Sequence, residues 1–305
     1  METNQTELIA ETVPTASEST APTGFRVIMR EFIKDKLAMG SLIGLVIIIL
    51  GVFIGALFID KEEIMRVSLL GTYAAPGDGY ILGADQGGRS IMGQLIIGAR
   101  NSIAIGFSIT ILTAIIGILF GLVTGYFGGL IDNILMRIND FIMVLPTLMI
   151  IIVFVTIIPK YNIFSFVLIM SAFYWVGTAR LIRSKALTES RRDYVSASKT
   201  MGTSNFVILF KQIMPNISSL IIVELTLNFA GNIGIETGLS FLGFGLPSDV
   251  PSLGTLISYS TNPEVISGKW WIWLPASILI LVLMLGINYV GQALRRAADS
   301  KQRLG

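Results

Sequence analysis

The 305-residue sequence contains no cysteine and no histidine. It therefore has no disulfides, no thiolate or imidazole metal ligands, no Cys or His nucleophile, and no side chain that ordinarily changes charge near neutral pH. Charged residues are scarce as well, at 14% against 53% hydrophobic, and the mean hydropathy is +0.74. That excludes an ordinary soluble domain and fits a polytopic membrane protein. Nowhere does Gly-x-x-x-x-Gly-Lys-[Ser/Thr] occur, so the chain lacks the loop that cradles nucleotide phosphates. No catalytic residue, metal site or resident cofactor is expected. The net charge of +2 is too small to suggest a nucleic-acid partner.

Residues 1–24 are rich in Thr, Ser, Pro, Ala and Glu, carry no Lys or Arg, and are expected to form a disordered tail. From 25 to 37, Phe25, Ile28, Met29, Phe32 and Ile33 recur at helical spacing opposite Arg26, Arg30, Lys34 and Lys36. Two readings fit, an interfacial helix drawn to anionic lipid or a simple basic flank that orients the first span. Residues 25–60 form this helix with the first span, 61–100 a loop, 101–294 a five-helix core, and 295–305 a tail.

A span needs about 20 apolar residues to cross a hydrocarbon layer of about 30 Å. Six stretches qualify, at about 37–59, 101–127, 138–158, 161–180, 217–243 and 270–294. Pro159 and Lys160 join the third and fourth in a tight hairpin. Basic residues precede the first span, recur between Arg180 and Lys211, and return at Arg295, Arg296, Lys301 and Arg303, which places both termini and the 188–216 loop in the cytoplasm. Trp270, Trp271 and Trp273 suit an aromatic belt at the outer interface. Gly117, Gly121 and Gly125 allow a close helix approach, and Arg137 with Asp140 suits a local ion pair near the start of span three.

The polar 188–216 loop reads as helix, turn, helix. Ser190 and Asp193 have capping-box spacing, Tyr194, Ala197, Ser198 and Met201 share a face, and Gly202 is placed as a helix terminator. Thr203 or Ser204 would start a second helix, Phe206–Met214, stopped by Pro215. In span five, Glu224, Asn228, Asn232 and Glu236 fall four residues apart on one face. Ionisable groups at membrane depth usually face a cavity or bundle interior, so this polar stripe is the candidate translocation surface; helix packing is the competing role. In the 61–100 loop, Gly83, Gly87 and Gly88 permit left-handed turns across which Asp85 and Arg89 are spaced to pair.

Four runs carry a family resemblance. Ser196-Ala197-Ser198, Gly202 and Ile213-Met214-Pro215 keep the spacing of the coupling loop of bacterial ABC importer permeases, with Ser196 where the family has glutamate. Leu82, Gly83, Asp85, Gly88, Arg89, Leu95, Gly98, Ala99 and Arg100 resemble the signature of C-type oligopeptide and dipeptide permeases, from which Ala84, Ser90 and Gly93 depart. Arg137 and Asp140 followed by Pro146, and the run Glu236 to Gly243, are similar to further family patterns. The resemblance implies an all-α fold of six transmembrane helices, the type I ABC importer permease fold. It implies coupling through Asp193, Tyr194, Ala197, Ser198, Met201, Gly202, Ile213 and Pro215. It also implies a homologous B-type permease, two ATP-binding subunits that hold ATP and Mg, an extracellular or lipid-anchored peptide-binding protein, and surrounding membrane lipid. Small peptides are the expected cargo, with nickel or another small solute as the alternative. A proton-coupled carrier using Glu224 and Glu236, or a non-transporting scaffold, are the rival classes.

Overall fold

The computed structural model describes residues 24–302 except Lys160 and Ser248; of the tail expected at 1–24, all but Gly24, which opens a helix, lies outside the described residues. Among the described residues the long elements are helices: α1 Gly24–Lys34, α2 Lys36–Gly55, α3 Ile91–Phe127, α4 Gly129–Val144, α5 Thr147–Ile157, α6 Ile163–Glu189, α7 Asp193–Thr200, α8 Ser218–Phe241, α9 Leu253–Ser258, α10 Pro263–Gly268 and α11 Trp270–Gln302. Five of them, α2, α3, α6, α8 and α11, are each long and apolar enough to cross a membrane.

The sixth expected span, 138–158, is not one straight helix. α4 and α5 meet at a 78° bend, and together they pass the length and hydropathy test for a broken span. Pro146 accounts for the break: it forces Leu145 out of the helical region, to ψ 140°, and α5 restarts at Thr147.

α3 is the axis of the molecule. Its 37 residues extend about 55 Å at 1.5 Å per residue, well beyond the hydrocarbon layer. It contributes to three clusters: one with α1, α2, α8, α9 and α11, a second with α5, α6 and the end of α8, and a third with the end of α6 and the segment after α7. The seam between α3 and α6 rests on the spaced glycines. A β-carbon at Gly117 would lie 2.9 Å from the Trp175 carbonyl oxygen, at Gly121 2.6 Å from that of Ala179, and at Gly125 2.7 Å from the Ala186 methyl. Lipid supplies no hydrophobic drive between helices, so contact this close is how they hold together.

Ion pairs fix α4 to α6. Asp140 pairs with Arg180, not with Arg137 as the spacing suggests, and Asp132 accepts from Arg183 Nε at 2.8 Å. Asn139 Nδ2 donates to the Val176 carbonyl at 3.0 Å. α11 continues as helix to Gln302, into the segment expected as the 295–305 tail.

Candidate functional site

α6 ends at Glu189, and Ser190 closes it: its N–H reaches the Ala186 carbonyl at 2.8 Å and its hydroxyl the Leu187 carbonyl at 2.9 Å. Ser190 is thus a C-cap, and the capping box expected with Asp193 is not made. Arg192 precedes α7, whose first turn holds Asp193 against the positive end of the helix dipole. At the other end Gly202 donates to Lys199 O and Thr203 to Ser198 O, each at 3.0 Å, the two bonds of a Schellman turn. Gly202 has φ +77°, and a β-carbon there would meet nothing within 4 Å, so the demand for glycine is conformational.

After the turn the chain is helical from Asn205 to Asn216, with Ile208–Ile213 widened into a π-helix. Pro215 lies in the last turn of this run, which ends at Asn216, two residues beyond the expected end at Met214, and α8 begins at Ser218. Val195, Ile208, Leu209, Ile213 and Ile217 are buried against Leu122, Ile182 and Ala186, which roots the two-helix unit on α3 and α6. The Tyr126 hydroxyl donates to Asn205 Oδ1 at 2.6 Å and fixes the second helix to the end of α3.

The face expected from Tyr194, Ala197, Ser198 and Met201 divides in two. Ser198 is buried, and Tyr194 is half-buried with its hydroxyl donating to Glu189 Oε2 at 3.0 Å; partial burial pushes that phenol above its usual pKa. Asp193, Ala197, Gly202 and Pro215 are exposed, as are Met201 at 77% and Phe206 at 68%. Phe206 also stacks on Phe210, with centroids 4.6 Å apart. The docked element therefore turns an apolar, methionine- and phenylalanine-tipped rim away from the helix bundle. The Phe206 tip is not visible in the spacing of the loop.

On α8 the four expected polar residues separate by depth. Asn228 Nδ2 donates to Thr178 Oγ1 at 3.0 Å and to Glu224 Oε1 at 3.2 Å, and both residues are half-buried. Asn232 is buried and donates to Thr110 Oγ1 at 2.9 Å. Glu236 is 0% exposed; it accepts from Ser240 Oγ at 2.8 Å and from Thr237, and the Ser102 and Ser252 hydroxyls also reach it. The carboxylate thus ties α8 to α3 and to the start of α9. Ser102 and Ser252, remote in sequence, carry no local signal of this role.

The loop expected over 61–100 ends at Ser90, because α3 begins at Ile91, ten residues before the expected start of span two; at that end of the bundle the loop folds around Asp85, which is 1% exposed. Its Oδ1 accepts from the backbone N–H of Gly87 at 2.8 Å and of Arg89 at 3.0 Å, and its Oδ2 from Gln94 Nε2 at 3.0 Å. The partner is therefore the Arg89 main chain, not its guanidinium. Gly83 and Gly88 adopt positive φ as expected, whereas Gly87 does not. Tyr259 donates to Asp85 at 3.4 Å, and burial with that neighbouring carboxylate pushes the phenol up to about 12. The indole nitrogens of Trp271 and Trp273 are buried and have no hydrogen-bond partner among the described residues, and Trp270 is the exposed member of the expected belt. Among the described residues no three His, Cys, Asp or Glu side chains come together.

A bundle of helices long and apolar enough to span a membrane, with a docked two-helix unit between two of them, defines a multi-pass membrane protein. The chain belongs to the family described as binding-protein-dependent transport system inner membrane component, which matches residues 117–304; residues 23–76 match the N-terminal TM domain of oligopeptide transport permease C. It is 54% identical over 276 residues to the oligopeptide transport system permease protein OppC of Lactococcus lactis subsp. lactis, covering 90% of this chain and 94% of that one. It is 35% identical to OppC of Bacillus subtilis over 90% of this chain and 89% of that one. To the dipeptide transport system permease protein DppC of the same organism it is 33% identical, over 90% and 85%.

Proposed function

We propose that this chain forms half of the translocation pathway of an ATP-driven importer of small peptides. A homologous permease supplies the other half. Two separate ATPase subunits bind nucleotide and Mg and engage the 188–216 loop, and a peptide-binding protein delivers cargo from outside. Both termini and the loop lie in the cytoplasm, in keeping with the basic residues there.

The observation that carries this reading is the α7–Gly202 unit, rooted on α3 and α6 through Val195 and Ile208, with Met201 and Phe206 left facing away from the bundle. A partner that grips this rim moves α6 and α8 with it, because the unit is continuous with both. ATP binding and hydrolysis then shift the population between two arrangements of the paired permeases. The peptide cargo is supported by the names of the relatives. The half-buried Glu224 and Asn228 border the pathway, while Asn232 and Glu236 hold α8 in register behind them.

The test is uptake of labelled oligopeptide into proteoliposomes containing the assembled complex. Uptake should require ATP and binding protein and persist when a protonophore collapses the proton gradient. Uptake abolished by the protonophore and indifferent to ATP would replace this reading with a proton-coupled carrier.

A further inference from the structure

α1 carries two adjacent stripes. Met29 and Ile33, one turn apart, are 38% and 55% exposed, and Leu37, just beyond the helix, is 70% exposed. Beside them Arg30, Lys34 and Lys36 are exposed too, while Phe32, at 3% exposed, points inward against α11. At 100° per residue Arg30 and Lys34 follow directly around the helix from Met29 and Ile33. The only ion pair among these three cations in the described residues is Lys34 with Glu31 at 2.5 Å.

The apolar stripe has a continuation. Leu37 is the second residue of α2, whose Ile43, Ile47, Leu50 and Ile54 all face outward from the bundle and hence meet hydrocarbon. Exposed apolar side chains are thus found both on the span and on α1, and on α1 they are joined by exposed positive charge.

A polar link joins α1 to α11. Asp35 sits between the two helices, caps α2 by accepting from the Ala38 N–H at 3.1 Å, and binds Arg296 Nη2 at 3.0 Å. Gly291 packs on Leu227 and Gly234 on Met284, so α11 runs antiparallel to α8, and Arg296 lies at the end where α8 begins. That is also the end of the α7 unit.

We propose that α1 lies in the bilayer interface as an anionic-lipid binding helix, with Met29, Ile33 and Leu37 in the acyl boundary and Arg30, Lys34 and Lys36 on phospholipid phosphates. The charge selects the lipid class, because each Lys or Arg beside an anionic surface adds about 1 kcal/mol, roughly fivefold in occupancy.

The natural chain has no cysteine, so a nitroxide on a single introduced Cys is unambiguous. The full chain, labelled at Ile33→Cys or at Glu31→Cys, is placed in nanodiscs of phosphatidylcholine alone or with phosphatidylglycerol. In anionic discs the residue-33 label should be relaxed by oxygen more than by a water-soluble nickel chelate, and the residue-31 label the reverse. Removing phosphatidylglycerol, raising salt, or introducing Arg30→Gln with Lys36→Gln should each return the residue-33 label towards water, the last by roughly fivefold per charge. The lipid and salt arms need no charge substitution, so they stand even if that variant fails to fold. A residue-33 label in water in anionic discs, or one shielded from both reagents by protein, would overturn the proposal. So would immersion that is equal in neutral and anionic discs.

Discussion

Gly202 shows how much a single backbone conformation can carry. Its φ of +77° with empty space around the missing side chain means that Gly202→Val leaves contacts intact and strains the turn, by roughly 1–3 kcal/mol. Peptide uptake by the assembled complex should fall about tenfold or more while the amount of chain in the membrane stays unchanged; unchanged uptake would show that the turn is not needed. Glu236 is the opposite case, a side chain defined by its neighbours. Glu236→Gln keeps an acceptor for Ser240, whereas Glu236→Leu leaves buried hydroxyls unpaired at about 1–3 kcal/mol each. A thermal melt in detergent should drop clearly for Leu and little for Gln. Equal melts would mean that the carboxylate does not brace α8. The glycine was legible in the sequence because a helix terminator is a local signal. The enclosure of Glu236 was not, since Ser102 and Ser252 come from other segments and no spacing on α8 points to them.

At the scale of elements, the five uninterrupted spans follow from hydropathy and length, and the α3–α6 seam from four-residue glycine spacing. Gly121→Val should separate these helices, because its first carbon already falls 2.6 Å from a carbonyl oxygen; a loss of about 2 kcal/mol or more is expected, read as a lowered melting temperature. The 78° break at Leu145–Pro146 was half legible: the proline is plain, but hydropathy runs through it without interruption, so the pattern alone joins α4 and α5. The partners of Asp140 and Asp132 were hidden for another reason. Arg180 and Arg183 approach from another helix, and a carboxylate's best cation in a bundle is chosen by packing rather than by sequence distance.

The joint between α1 and α2 adds a pH dependence. The Ala38 N–H and then the Arg296 guanidinium hold the Asp35 carboxyl below its usual range. A lowered folded-state pKa means that its contribution is complete above the ordinary value near 3.9 and is lost as pH falls through the folded value. α1 should therefore stay clasped at neutral pH and loosen only in acid. Asp35→Asn, which keeps a capping acceptor but no charge, should reproduce the loosening at pH 7, measured as faster amide exchange in α1. Exchange unchanged in the variant would mean that Phe32 packing alone holds the helix.

For the whole molecule, an axial helix touches all three apolar clusters, polar loops close over one end, and a two-helix unit packed on α3 and α6 lies at the other. The proposed function requires a partner on the Met201–Phe206 rim and a second permease opposite this one. The most direct measurement is mild-detergent purification of the tagged chain from its native membranes, with mass spectrometry of all retained proteins. A homologous permease and ATP-binding subunits should be recovered, and their retention should fall when Met201 and Phe206 are both changed to Asp. Recovery of the chain alone, still active in proton-driven uptake, would contradict the importer function.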